Sequence, residues 1–112
     1  MRGISGAERC RVVRAYGELD LCSAAEFRED LAAGLAGADA GVPPRLVVDL
    51  TGVTFLDCSA LRELCGAARR AAAGGGWVRV VYTAPRVARV MRAALLAEAF
   101  PGYASVAAAA GS

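Results

Sequence analysis

The sequence predicts an α/β domain in which strands alternate with helices, and three observations carry that prediction. Short apolar runs at Cys10–Tyr16, Leu46–Leu50 and Trp77–Tyr82 have the length and content of strands. Between them lie segments whose apolar residues recur at helical spacing, long enough to serve as crossover connections. Glycine and proline clusters at Gly37, Gly41, Pro43-Pro44 and Gly74–Gly76 punctuate the two kinds of segment.

The elements follow in order. Residues 2–6 have the makings of a short edge strand. Cys10–Tyr16 mixes apolar and arginine positions and reads as a strand ending at Gly17. Ser23-Ala24-Ala25-Glu26 has the form of a capping box, in which hydroxyl and carboxylate each satisfy the other residue's backbone donor. The helix after it places Ala24, Phe27, Leu31, Leu35 and Ala38 on one face. Leu46–Leu50 is nearly continuous in apolar residues, as in a central strand. The second helix starts near Ser59, with Leu61, Leu64, Cys65, Ala68 and Ala72 along its stripe and Arg62, Glu63, Arg69 and Arg70 off it. Pro85 suits the first turn of a third helix, with Val87, Val90, Met91, Ala94 and Leu95 inward and Arg86, Arg89 and Arg92 outward. From Phe100 onward a last strand or short helix is expected, with a frayed alanine-rich end.

Composition narrows the function. The 112 residues suit a single domain over residues 1–112, and a hydrophobic fraction of 56% with only 6% aromatics implies a core of small side chains. The apolar runs are too short or too interrupted to span a bilayer, and the N-terminus has no apolar signal core, so a cytoplasmic chain is expected. A net charge of +2 argues against a nucleic-acid binder driven by phosphate neutralisation. All 13 basic residues are arginine, and without histidine there is no ready general base at neutral pH. Cys10, Cys22, Cys58 and Cys65 show no CxxC pair and no metal-ligand spacing, so no metal and no cofactor is expected. Cys10, Cys22 and Cys65 read as small core residues.

Residues 46–61 carry the most chemical information. An apolar strand runs through a glycine-containing connection into Asp57-Cys58-Ser59 at the mouth of a helix. Backbone N–H groups and the helix dipole there favour a phosphate. Ser59 is either the N-cap of that helix or a hydroxyl acceptor. Asp57 is either a contact for a partner or a local turn former. Asp20 and Leu61 carry the same ambiguity, the first as a turn cap and the second as a core residue.

The chain resembles the STAS domain family, and within it the single-domain anti-sigma factor antagonists of bacteria. Gly17-Glu18-Leu19-Asp20 and the helix from Ser23 are similar to the family's G-E-(L/I)-D-x-x-x-A block. Val47 to Leu61 is similar to the family's strand, its D-S-(S/T)-G-L phosphorylation loop and the following helix. The resemblance implies a mixed or parallel sheet with alternating β-α units and about four helices. It also implies a non-enzymatic binding module, monomeric or weakly dimeric. The partner is an anti-sigma factor of the GHKL serine-kinase type, whose sequestration releases a sigma factor. That kinase phosphorylates family members on the serine after the loop aspartate, and a phosphatase resets the cycle. Glu18, Asp20, Asp57, Cys58, Ser59 and Leu61 are the partner-binding positions by their match to the two blocks.

The sequence departs from the family at the switch itself. Cys58 stands at the phosphoacceptor position, with Ser59 as the alternative acceptor, and Ala60 replaces the usual glycine. Two other classes of function compete. A thiol sensor would use Cys58 at a helix N-terminus, but Asp57 beside it and no neighbouring lysine or histidine work against a reactive thiolate. Cys65 lies about 10 Å along the axis, too far to pair with it. A scaffold acting without phosphorylation is the milder form of this alternative. An enzyme would lack a histidine base and a phosphate-binding glycine loop with lysine, which leaves it only Glu18, Asp20, Asp49 and Asp57 to gather into an acid–base or metal site, without further ligands. The arginines of the third helix read as a solvated face, with an acidic partner as the alternative.

Overall fold

The computed structural model describes residues 10–36 and 41–111. The expected edge strand at residues 2–6, together with Gly37 and Ala38, lies outside them. Four strands and four helices follow one another as β1 (Arg11–Leu19), α1 (Ala24–Ala36), β2 (Arg45–Leu56), α2 (Cys58–Ala73), β3 (Trp77–Val81), α3 (Pro85–Ala93), β4 (Gly102–Tyr103) and α4 (Val106–Gly111). The sheet order is β1-β2-β3-β4 and every pairing among the described strands is parallel. Parallel neighbours require crossovers, and α1 and α2 supply them. Consequently the carboxyl ends of β1, β2 and β3 and the amino ends of α1, α2 and α3 gather at one rim.

Two apolar clusters sandwich the sheet. Alternate strand residues, among them Val13, Leu46, Val48, Leu50, Val78 and Val80, meet Phe27, Leu31, Leu64, Ala67, Val87 and Met91 from α1, α2 and α3. On the opposite face Cys10, Val12, Val47 and Val81 meet Ala109 of α4, with Trp77, Tyr103 and Val106 packed around them. The period of two along the strands divides the side chains between these layers. A hydroxyl inside this packing must find an acceptor, and Tyr82 donates to the Phe100 carbonyl at 2.7 Å. Burial raises its pKa above the usual phenol value, against a smaller lowering by the Arg92 charge, which keeps the donor protonated.

Several boundaries move from their sequence-based positions, each for a packing reason. β1 does not end at Gly17 but passes through it: Gly17 takes φ 75° between two register shifts, pairs with Val53, and the strand continues with Glu18 opposite Phe55. β2 does not end at Leu50. The expected glycine connection is strand, since β1 continues alongside to give Tyr16↔Gly52 and Leu19↔Leu56. Gly52 is needed there: a Cβ would lie 2.6 Å from the Tyr16 ring. β3 pairs with β2 only from Arg45 to Asp49, so the end of β2 overshoots its neighbour.

The helices show the same kind of shift. The buried stripe of α2 is Ala60, Leu61, Leu64, Ala67 and Ala71, and the expected Ala72 is exposed. α3 ends earlier than its apolar pattern suggested. Leu95 N–H donates to the Arg92 carbonyl at 3.0 Å and Leu96 N–H to that of Met91 at 2.8 Å, a Schellman closure. That closure puts Leu95 at φ 61° with 89% exposure instead of in the core. Leu96 takes the inward place, and Ala94 is exposed as well. Cys22 is exposed, not a core residue, while Cys10 is buried and Cys65 half-buried.

Candidate functional site

The rim is organised by one carboxylate. Asp57, in extended conformation, is the N-cap of α2, and its Oδ1 accepts from Ser59 N–H at 2.8 Å and Ala60 N–H at 3.4 Å. Two of the helix's orphan donors are thereby satisfied by a charge of the sign its dipole favours. Ser59 is therefore not the cap, contrary to the first sequence alternative. Its N–H is a donor to the cap, and its side chain sits half-buried in the first turn. The reason is the strand: with β2 in register as far as Leu56 and Asp57 still extended, Cys58 is the first residue to turn into the helix, which leaves Asp57 at the cap position.

Asp57 also ties the rim together through its backbone, its N–H donating to the Leu19 carbonyl at 3.1 Å. This bond places the turn after β1 against the mouth of α2. In that turn Asp20 Oδ1 accepts from Cys22 N–H at 2.9 Å and from Ser23 N–H at 3.2 Å. Ser23 does not form the expected capping box with Glu26. Its hydroxyl accepts from Asp20 N–H at 3.0 Å and donates to the Glu18 carbonyl at 2.9 Å, closing the turn instead of the helix. Asp20 and Asp57 thus both serve local turns and both remain half-buried.

The remaining sequence-derived positions divide. Cys58 is exposed at the first position of α2, and Glu18 is exposed at the end of β1, paired in register with Phe55. Leu61 is 4% exposed and belongs to the core, so it supports the rim from beneath and offers nothing to a partner. Ala60 is wholly buried in the same cluster and lies in regular helix, so a side chain in place of glycine needs no left-handed backbone. Sequence reasoning passed over Leu21, 79% exposed in the acidic turn, and Phe55, 45% exposed beside Glu18. Leu21 had a readable signal: a large apolar residue between Asp20 and Cys22 in a turn has no core to enter. Phe55 had none, because its face depends on the register shifts of β1.

Among the described residues no group of three or more cysteine, aspartate or glutamate side chains converges as a metal site. No described helix is long and apolar enough to cross a membrane.

The STAS domain family model matches residues 3–109 of the chain. The chain belongs to the STAS domain family. A Mycobacterium tuberculosis protein described as a candidate anti-anti-sigma factor is 33% identical over 101 residues, 90% of this chain and 67% of that protein. The crystal structure of an anti-sigma factor antagonist from Mycobacterium paratuberculosis superposes with a TM-score of 0.81 at 26% identity, covering 97% of this chain and 89% of the other. The Bacillus cell fate determinant SpoIIAA, solved in its phosphorylated form, shares the fold at a TM-score of 0.65 and 18% identity, over 92% of this chain and 91% of its own. For a STAS domain of the antagonist group, the α2 mouth with Asp57, Cys58 and Ser59 is the position where the sequence resemblance placed the switch.

Proposed function

We propose that this STAS domain is a cytoplasmic anti-sigma factor antagonist, a binding module that holds an anti-sigma factor of the GHKL serine-kinase type and so frees a sigma factor. The observation that carries this reading is the presentation of Cys58. It stands exposed at the first position of a helix whose cap, Asp57, is in turn fastened to the end of β1. Glu18, Asp20, Asp57, Cys58 and Ser59 supply the polar part of the docking surface. Leu21 and Phe55 supply exposed apolar area beside them.

Cys58 changes the regulation. A phosphoryl group at this rim would add about −1.5 to −2 charges beside Asp20 and Asp57, enough to break a packed interface. A thiol is not a routine acceptor for a serine kinase, so the chain stays in its binding form while the kinase is active. Ser59 is a poor substitute because it is half-buried and its backbone is fixed by the Asp57 cap. A phosphatase partner has a role only if Ser59 is modified after all. One observation favours a second reading, a thiol-regulated antagonist. Cys22 and Cys58 are both exposed, on the two turns joined by the Asp57–Leu19 bond.

Intact-mass spectrometry after incubation with the cell's own anti-sigma kinases and ATP tests the proposal, with Cys58→Ser and Ser59→Ala alongside. We expect no phosphate on the wild-type chain and one phosphate on Cys58→Ser, with both proteins binding the kinase beforehand. A phosphate on the wild type that disappears in Ser59→Ala would restore the ordinary switch with a displaced acceptor. Failure of the wild-type chain to bind any of those kinases would sink the antagonist reading.

A further inference from the structure

The overshoot of β2 past β3 leaves a groove at the same rim, with Asp57 outside its lining. Its floor is apolar, formed by Val53 from the end of β2 and by Ala84, Pro85 and Val87 at the start of α3, and it encloses about 460 Å³. Arg86 and Arg89 line it as well, and no carboxylate does. Arg86 is oriented by donating from Nη1 to the carbonyl of Thr54, which also lines the groove, at 2.9 Å. Arg89 is exposed, and neither arginine has an ion-pair partner among the described residues. Arg92 continues the basic face, and α3 contains no acidic residue at all.

The amino end of α3 adds to the positive character of this side. Its N-cap is Ala84, which makes no side-chain hydrogen bond, and Pro85 occupies the first turn. A helix start normally recruits a carboxylate or a hydroxyl; here it is flanked by guanidinium groups, which the dipole disfavours. Ala84 and Pro85 give the groove its exposed apolar surface, with the buried Val53 and Val87 beneath them, and such a surface bounded by unpaired cations is complementary to one kind of occupant.

We propose that this groove binds an acidic segment of a protein partner, one that seats an apolar side chain against Ala84 and Pro85, above the buried Val53 and Val87, and sets carboxylates on Arg86 and Arg89. A flat apolar patch would not select for charge, and arginines alone would not select for an apolar anchor. The pairing of the two gives the specificity. The groove would give an anti-sigma factor a second anchor beside the Cys58 rim. It rests on the antagonist reading only for the naming of that partner.

The test uses the isotopically labelled full chain and, as probe, a short amphipathic peptide of glutamate and leucine, followed by backbone amide NMR shifts. Shifts are expected at Val53, Thr54, Ala84, Arg86, Val87 and Arg89. Arg89→Glu should weaken the peptide about tenfold, the order expected when one rim attraction becomes a repulsion, whereas Arg89→Lys should retain most of the affinity. A lysine and leucine peptide binding as well, or a glutamate and serine peptide binding as well, would overturn the proposal, since either removes one half of the complementarity. So would shifts elsewhere on the surface, or equal binding by Arg89→Glu. If the wild-type chain takes up the peptide at these residues but no anti-sigma kinase, the groove stands and the antagonist reading falls. If it binds the kinase through the Cys58 rim and ignores the peptide, the reverse holds.

Discussion

The amino ends of α2 and α3 occupy equivalent places in the fold, each following a parallel strand at the same rim, yet they are built from opposite chemistry. α2 opens with Asp57, whose carboxylate accepts from two backbone donors and complements the dipole. α3 opens with Ala84 and Pro85, has no side-chain cap, and carries Arg86 and Arg89 in its first turns. The first start is satisfied locally. The second is held by tertiary contacts instead: Val87 and Met91 in the core and the Arg86 bond to the overshooting strand. A helix start that stabilises itself leaves its first residue, Cys58, free to be presented. A start stabilised from below leaves its charges unspent.

Substitutions at three positions test that contrast, in descending order of effect. Leu61→Ala should be the largest, a loss of about 2–5 kcal/mol in denaturant unfolding, because the side chain is core and the site above it is rigid only while it is filled. A loss below about 1 kcal/mol, with weakened partner binding, would return Leu61 to the docking surface. Asp57→Ala should cost about 1 kcal/mol through the lost cap, while Asp57→Asn, an equally good cap, should cost only a few tenths. Partner binding that falls with Asp57→Asn while the melting curve stays in place would assign the charge to docking and the geometry to the fold. Ala84→Asp should make α3 resemble α2, gaining up to about 1 kcal/mol of stability from the new cap. It should also weaken the glutamate and leucine peptide, since the added carboxylate competes for the same positive end. A stabilised protein with unchanged peptide affinity would separate the helix start from the groove.

Much of this was legible in the residues. The alternation of apolar runs with helical stripes gave the α/β class. The blocks at Gly17–Asp20 and Val47–Leu61 led to the STAS family, which the match over residues 3–109 bears out. The elements that moved did so where local and tertiary demands differ. Ser59 is a good N-cap in isolation, but the register of β2 with β1 hands that role to Asp57. Ser23 and Glu26 have the spacing of a capping box, but the Glu18 carbonyl and Asp20 N–H lie closer to the hydroxyl once β1 passes through Gly17.

The sequence by itself determined which segments are the main strands and helices and which family they build, because those follow from side-chain period and residue identity along the chain. Only the tertiary structure decided that Leu61 is support, that Asp57 both caps α2 and clamps the end of β1, and that β2 overshoots β3 to open a basic-edged groove. These depend on strand register and on where neighbouring elements stop. A one-residue shift in pairing turns a side chain to the other face, and the near-continuous apolar pattern of strands buried on both faces does not fix it.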